Sequence, residues 1–206
     1  MSVKAIFFDF DGVLTTDKSG STSSAKYFSK KLGVSIEELL AIYKKDYADA
    51  DHRIDVGEAL NSEIWQSMSE RYGIKYKPED MIQAFADTPI DSKMLEFARK
   101  LKEKFIVGII TDNGAERTAY IFNKHKFDKI FNPIIVSADV KATKGGTEIF
   151  DLAASRAGAK PSECIFIDNT KKNIVSANKA GFIGIYFDDA VRDYEKLFSE
   201  VENETK

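Results

Sequence analysis

The sequence predicts an α/β fold: a doubly wound (Rossmann-like) parallel sheet, with a helical bundle inserted after its first strand. Three observations predict it. Five short apolar runs recur along the chain: "VKAIFFD" at 3–9, "FIVGIITD" at 105–112, "PIIVSAD" at 133–139, "CIFIDN" at 164–169 and "FIGIYFD" at 182–188. They are continuous rather than alternating, the mark of strands buried on both faces of a parallel sheet. The later runs are separated by amphipathic segments of helical period, the rhythm of βαβ units. Between the first and second runs, residues 16–87 show helical spacing alone.

The elements follow in order. After the strand at 3–9, "SAKYFSKKLG", "SIEELLAIYKKDYADA", "GEALNSEIWQSMSERYG" and "PEDMIQAFAD" each repeat apolar residues at helical intervals, and Gly33 and Gly73 stand where helices should stop. The serine-rich "SGSTSS" at 19–24 reads as a short loop and helix start. This bundle joins the rest only through "LTTD" and "DTPID", so residues 1–15 and 88–206 are expected to form one core domain and residues 16–87 a helical unit that moves on it. "DSKMLEFARKLKE" resumes the core as a helix; others are predicted at about 114–125, 146–158 and 171–180, with a last one from near Ala190.

Composition sets the outer limits. With 206 residues, 43% hydrophobic and 31% charged, the chain has the make-up of a soluble globular protein with one good core. A net charge of −3 with no basic stripe argues against a nucleic-acid partner. The single cysteine, Cys164, sits in an apolar run and reads as a buried, inert thiol in a reducing compartment. Two acids interrupt the N-terminal apolar run, unlike a secretory signal, and "FIVGII" is too short to span a bilayer. A cytoplasmic protein is expected, a monomer or small homo-oligomer with no membrane partner.

Ligands of open parallel sheets bind outside the carboxyl ends of the strands, and the suggestive polar residues fall there. The first strand ends in Asp9-Phe10-Asp11-Gly12, the second in Thr111-Asp112-Asn113 and the fourth in Asp168-Asn169, while Lys144 follows the third after a short loop. Asp9 and Asp11, two apart on an extended strand, point their carboxylates to one face, where they repel unless a cation intervenes. With Asp168 they could gather a hard divalent ion such as Mg²⁺. The Thr111 hydroxyl and the Lys144 ammonium suit an anion, and the set together suits phosphoryl transfer.

Plainer readings exist for each fragment. "TDNG" alone is a hairpin signal, but it lies between a strand and a helix; "TKGGT" alone is a glycine-rich loop, and it is no P-loop because its lysine precedes the glycines. "DADHRIDVGE" at 49–58 fails as a calcium loop, with Ile54 where glycine is needed, and reads as a solvated segment between helices. His52 and Arg53 within it are candidates to face the substrate. Trp65 is expected in the bundle core, and His125 at the surface, with no serine or cysteine partner for a hydrolytic triad.

In order and surroundings, "FFDFDGVLTTD", "IITDN", "TKGGTEIF" and "IFIDNTKKNIVSANKAGF" resemble the four motifs of the haloacid dehalogenase-like superfamily. The resemblance covers the core from end to end, and the insert looks like that superfamily's first class of helical cap. It implies that Asp9 is the nucleophile and Asp11 the general acid/base. It further implies that Mg²⁺ is held by the Asp9 and Asp168 carboxylates with the Asp11 backbone carbonyl. Thr111 and Lys144 match the phosphate-holding groups, with Asp112 and Asn113 beside them and Gly12, Asn169 and Asn173 in support. Dehalogenating relatives lack the second aspartate, so Asp11 favours phosphoryl chemistry. Two departures stand out. Gly145-Gly146 replaces the usual proline after the lysine, predicting a looser approach of Lys144. Asn169 replaces a second acid, predicting weaker Mg²⁺ binding. The expected function is a Mg²⁺-dependent phosphatase for a small phosphorylated metabolite, with sugar phosphates as the leading class. The rivals are a phosphomutase of the β-phosphoglucomutase type and a non-catalytic binding protein on the same scaffold.

Overall fold

In the computed structural model, which describes residues 2–46 and 48–206, the five apolar runs form one parallel sheet. Its strands are β1 (Ala5–Phe8), β2 (Ile106–Thr111), β3 (Ile134–Val136), β4 (Cys164–Asp168) and β5 (Ile183–Tyr186), in the order β3-β2-β1-β4-β5. β1 is central, pairing Ala5 with Ile106 on one side and with Cys164 on the other. Side chains divide by the strand's period of two: Ile6, Phe8, Ile109, Ile165 and Ile167 pack into one core, and Ala5, Phe7, Ile110, Cys164 and Phe166 into a second across the sheet. Both faces are therefore apolar, as the continuous runs require. Cys164 is buried, as read, and that burial pushes its thiol up to about 12.

Five helices separate β1 from β2 in sequence before the core resumes: α1 (Gly20–Leu32), α2 (Ile36–Asp46), α3 (Ala50–Asp55), α4 (Asn61–Tyr72) and α5 (Pro78–Ala86). α1 begins inside the serine-rich stretch because the Ser19 hydroxyl accepts the Thr22 N–H. Gly33 and Gly73 close α1 and α4 at φ 69° and 65°, as the sequence predicts. The segment read as one helix over 35–50 contains α2 and the start of α3; its Tyr47 lies outside the described residues. Phe28 and Trp65 stack at 4.0 Å between ring centroids in the core of these helices.

The rest of the sheet is dressed by α6 (Ser92–Leu101), α7 (Ala115–Lys124), α8 (Ser137–Val140), α9 (Glu148–Arg156), α10 (Lys171–Lys179) and α11 (Tyr194–Glu204). Two boundaries differ from the sequence reading. The third strand stops at Val136 because "SADV" winds into the single turn α8. The last helix starts at Tyr194, not near Ala190: Arg192 takes a left-handed φ of 52°, and Asp193 caps the helix by accepting the Lys196 N–H.

Both chain crossings to the helical insert lie side by side. Thr15 and Ile90 form an antiparallel bridge, and the Thr16 N–H donates to the Pro89 carbonyl at 3.0 Å. Arg192 locks this junction from the C-terminal segment, donating to the carbonyls of Gly12 (2.9 Å) and Val13 (3.1 Å) and to the Asp91 carboxylate. Among the described residues no helix is long and apolar enough to cross a membrane.

Candidate active site

The loop after β1 is shaped by its glycine. Phe10–Leu14 makes one wide turn, closed by the Thr15 N–H donating to the Phe10 carbonyl at 3.0 Å. Gly12 sits within it at φ 80°, and a Cβ there would fall 2.2 Å from the Asn169 side chain. Glycine is thus needed for both backbone and space. The turn leaves Asp9 at the tip of β1, where its Oδ1 accepts the Phe10 N–H at 2.7 Å.

Lys144 reaches this tip from the loop before α9. Its Nζ lies 2.7 Å from Asp9 Oδ1 and 2.8 Å from Asp168 Oδ2, with all three side chains at most 8% exposed. Asp168 is fixed further by the Thr170 N–H (2.6 Å) and by Asn173 Nδ2 (3.0 Å). Burial opposes the Lys144 charge, but the surrounding carboxylates of Asp168, Asp9 and Asp112 outweigh it and hold the ammonium well above the usual lysine range. Burial pushes the Asp9 carboxyl well up, and the charges of Asp168 and Asp11 add to this against Lys144. Two buried carboxylates facing one ammonium leave negative charge uncompensated, and every free donor is an oxygen. That set fits a hard divalent cation.

Asp11 is the correction. Its carboxylate receives Arg117 through both oxygens, Nη1 to Oδ2 at 2.7 Å and Nη2 to Oδ1 at 2.8 Å. Asn113 Nδ2 donates a third bond to Oδ2 at 2.7 Å. Three carboxylates therefore do not gather around one cation; among the described residues no three acidic, histidine or cysteine side chains converge on a metal position. The remaining donors from Asp11 are those of its backbone.

The other motif residues separate by role. Thr111, 1% exposed, ends β2 beneath the site, within 3.4 Å of Asn113 Nδ2. Asp112 accepts the Lys144 N–H through both oxygens, at 2.9 and 3.2 Å, so its carboxylate anchors the lysine loop and is not turned to an anion. This anchor also answers the double glycine: the loop is pinned from β2 although it lacks proline. Burial, ahead of the neighbouring charges, raises the Asp112 carboxyl.

Above these residues lies a cleft of about 190 Å³. Asp9, Asp11, Asp112, Lys144 and Asn169 form its floor; Ser19, Gly20 and Ser21 at the head of α1, with Asp51, Ile54, Asp55 and Asn61, form its roof. Here the sequence reading of 49–58 needs a second correction. The segment is largely exposed, as read, but it is no mere connection: residues 50–55 wind into the helix α3, whose buried Ile54 anchors it and whose Asp51 and Asp55, four apart, line the cleft. His52 and Arg53 fall on its exposed side and do not line the cleft. Burial first, then the charge of Asp112, pushes the Asp55 carboxyl up to about 8.

Arg117 is a buried residue of this site that the motifs did not point to. It is 1% exposed, lies over the Phe10 ring at 5.3 Å and also donates to Asn113 Oδ1 at 3.0 Å. One signal was available: Arg117 occupies an apolar-face position of α7, four residues before the buried Ile121 and four after Asn113.

The family model for haloacid dehalogenase-like hydrolases matches residues 3–181. The chain belongs to this family. This haloacid dehalogenase-like hydrolase is similar to the mouse (Mus musculus) bifunctional epoxide hydrolase 2, 25% identical over 218 residues that cover 96% of the chain; the chain spans only 39% of that protein's length. It is also similar to the pyrophosphatase PpaX of Bacillus cereus, 22% identical over 88% of the chain and 81% of the relative. In fold it matches a HAD family enzyme from Bacteroides thetaiotaomicron solved with magnesium and inorganic phosphate, with a TM-score of 0.75, 21% identity and coverage of 96% and 100% of the two chains.

Proposed function

We propose that this hydrolase is a Mg²⁺-dependent phosphatase acting on a small phosphorylated metabolite, with Asp9 as nucleophile. One observation carries the reading: Asp9 is half tied. Its Oδ1 accepts the Phe10 N–H and pairs with Lys144 Nζ, whereas its Oδ2 receives no hydrogen bond from the described residues, and Asp9 lines the cleft. A held carboxylate with one free oxygen is suited to attack phosphorus. The pyrophosphatase relative, and the fold neighbour that binds magnesium and phosphate, support the phosphate class.

The steps follow from the residues. Asp9 Oδ2 attacks phosphorus, the ester P–O bond breaks, and Asp11 gives a proton to the departing oxygen. Asp11 then takes a proton from the water that attacks the aspartyl-phosphate, releasing inorganic phosphate and free Asp9. Lys144 balances charge on the phosphate oxygens throughout. Mg²⁺, held by the Asp9 and Asp168 carboxylates and the Asp11 carbonyl, would neutralise the same oxygens when bound.

Residues 16–87 act as the cap in this reading, with α1 and α3 closing over the substrate and excluding water. The cleft is smaller than the range of about 300–1,000 Å³ that drug-sized ligands fill, which favours a compact substrate. Carboxyl groups of Asp51 and Asp55 in the roof suit a leaving group rich in hydroxyls, as a sugar phosphate is. The test is a panel of sugar phosphates and other small phosphate esters with Mg²⁺. Release of phosphate by the wild type and its loss in Asp9→Asn is the expected result; unchanged release in Asp9→Asn contradicts the proposal.

A further inference from the structure

We infer that Arg117 is the positioning residue for proton transfer to the leaving group, acting wholly through Asp11; the inference rests on the phosphatase reading above. At 1% exposed, Arg117 touches no substrate. Its geometry fixes where Asp11 can carry a proton. A carboxylate offers about two acceptor positions on each oxygen. Oδ2 is filled by Arg117 Nη1 and Asn113 Nδ2, whereas among the described residues Oδ1 accepts only from Arg117 Nη2, which leaves one of its positions open. The transferable proton is thereby confined to Oδ1. When the ester P–O bond breaks, its electron pair stays on the leaving oxygen, that oxygen takes the Oδ1 proton, and phosphorus bonds to Asp9 Oδ2.

The guanidinium is itself held in place. Asn113 Oδ1 accepts from Nη1, the Phe10 ring covers one side, and Gly20 at the start of α1 packs so closely that a Cβ would lie 3.1 Å from Cζ, Nε and Nη1. Gly20 borders the cleft as well, so the first residue of α1 bears directly on the group that aims Asp11. Lysine could not replace the arginine here, because a single ammonium cannot span both carboxylate oxygens in a planar fork.

The experiment exploits leaving-group chemistry. Departure of 2,4-dinitrophenolate needs no proton, whereas departure of an alkoxide from glycerol 2-phosphate does. kcat/KM for each ester is measured with Mg²⁺ for wild type, R117A and R117K; this parameter omits the later hydrolysis step, which both esters share. Loss of aimed proton transfer is expected to lower kcat/KM of R117A on glycerol 2-phosphate by about 100-fold, and on 2,4-dinitrophenyl phosphate by less than about 3-fold. R117K is expected to recover only part of the loss. Equal losses on both esters, or full recovery in R117K, overturn the inference. Should R117A fail to fold, G20A reads the same ratio, since alanine suits the helix but crowds the guanidinium; an unchanged ratio there overturns it too. Absence of phosphate release by the wild type from either ester instead removes the phosphatase reading, and this inference with it.

Discussion

Lys144 and Asp9 are joined by a buried ion pair, 2.7 Å from Nζ to Oδ1, at the carboxyl edge of the central strand. The pair has no solvent to fall back on, since Lys144 is 3% exposed and also holds Asp168. Removing the ammonium strands two buried carboxylates. Lys144→Ala is therefore expected to lower stability by about 3–5 kcal/mol, read from urea denaturation, and to abolish phosphate release.

Gly12 tests the loop that separates the two aspartates. Alanine there must hold a φ of 80° and displace the Asn169 side chain. Gly12→Ala is expected to cost about 1–3 kcal/mol or more in thermal or urea denaturation and to reduce turnover, because Asp11 is carried on the same turn.

Asp55 gives stability a slope with pH. Its folded carboxyl, pushed up to about 8, keeps its proton where the unfolded chain, titrating near 4, has lost it. The folded state binds more protons between these values, so stability falls as pH rises from about 4 to 8. Urea midpoints of the wild type are expected to be lower at about pH 9 than at about pH 5, and Asp55→Asn is expected to flatten this difference.

Asp91 acts with the opposite sign. Burial works to raise its carboxyl, but hydrogen bonds from Tyr194, Met94 and Arg192 together outweigh it and hold it below the usual value. Its stabilisation is complete above about pH 4 and is lost as pH falls through the lowered value. Asp91→Asn is expected to be less stable near neutrality and to lose less than the wild type on acidification, as followed by circular dichroism.

Much of this was legible in the chain, for physical reasons. Continuous apolar runs gave the parallel strands because both faces are buried, and sheet topology alone brings Asp9, Lys144 and Asp168 together from segments far apart in sequence. What the sequence hid were partners chosen by tertiary geometry. Arg117 sits on the apolar face of α7, but its partner Asp11 lies 106 residues away in sequence and is met only in the fold. Asp112, adjacent to the phosphate-type motif, is taken up by the Lys144 backbone. In α3 the right segment was singled out but the wrong side of it: Ile54 sets the buried face, which turns Asp51 and Asp55 to the cleft and leaves His52 and Arg53 outside.

The central claim is that Asp9 carries the phosphoryl group, and chemical trapping addresses it most directly. The protein is mixed with Mg²⁺ and a phosphate ester it hydrolyses, then quenched with borohydride, which reduces an acyl phosphate to the alcohol. Peptide mass spectrometry is expected to find Asp9 converted to homoserine only when the ester is present. Reduction at a different carboxylate, or none at all while phosphate is being released, would contradict the account.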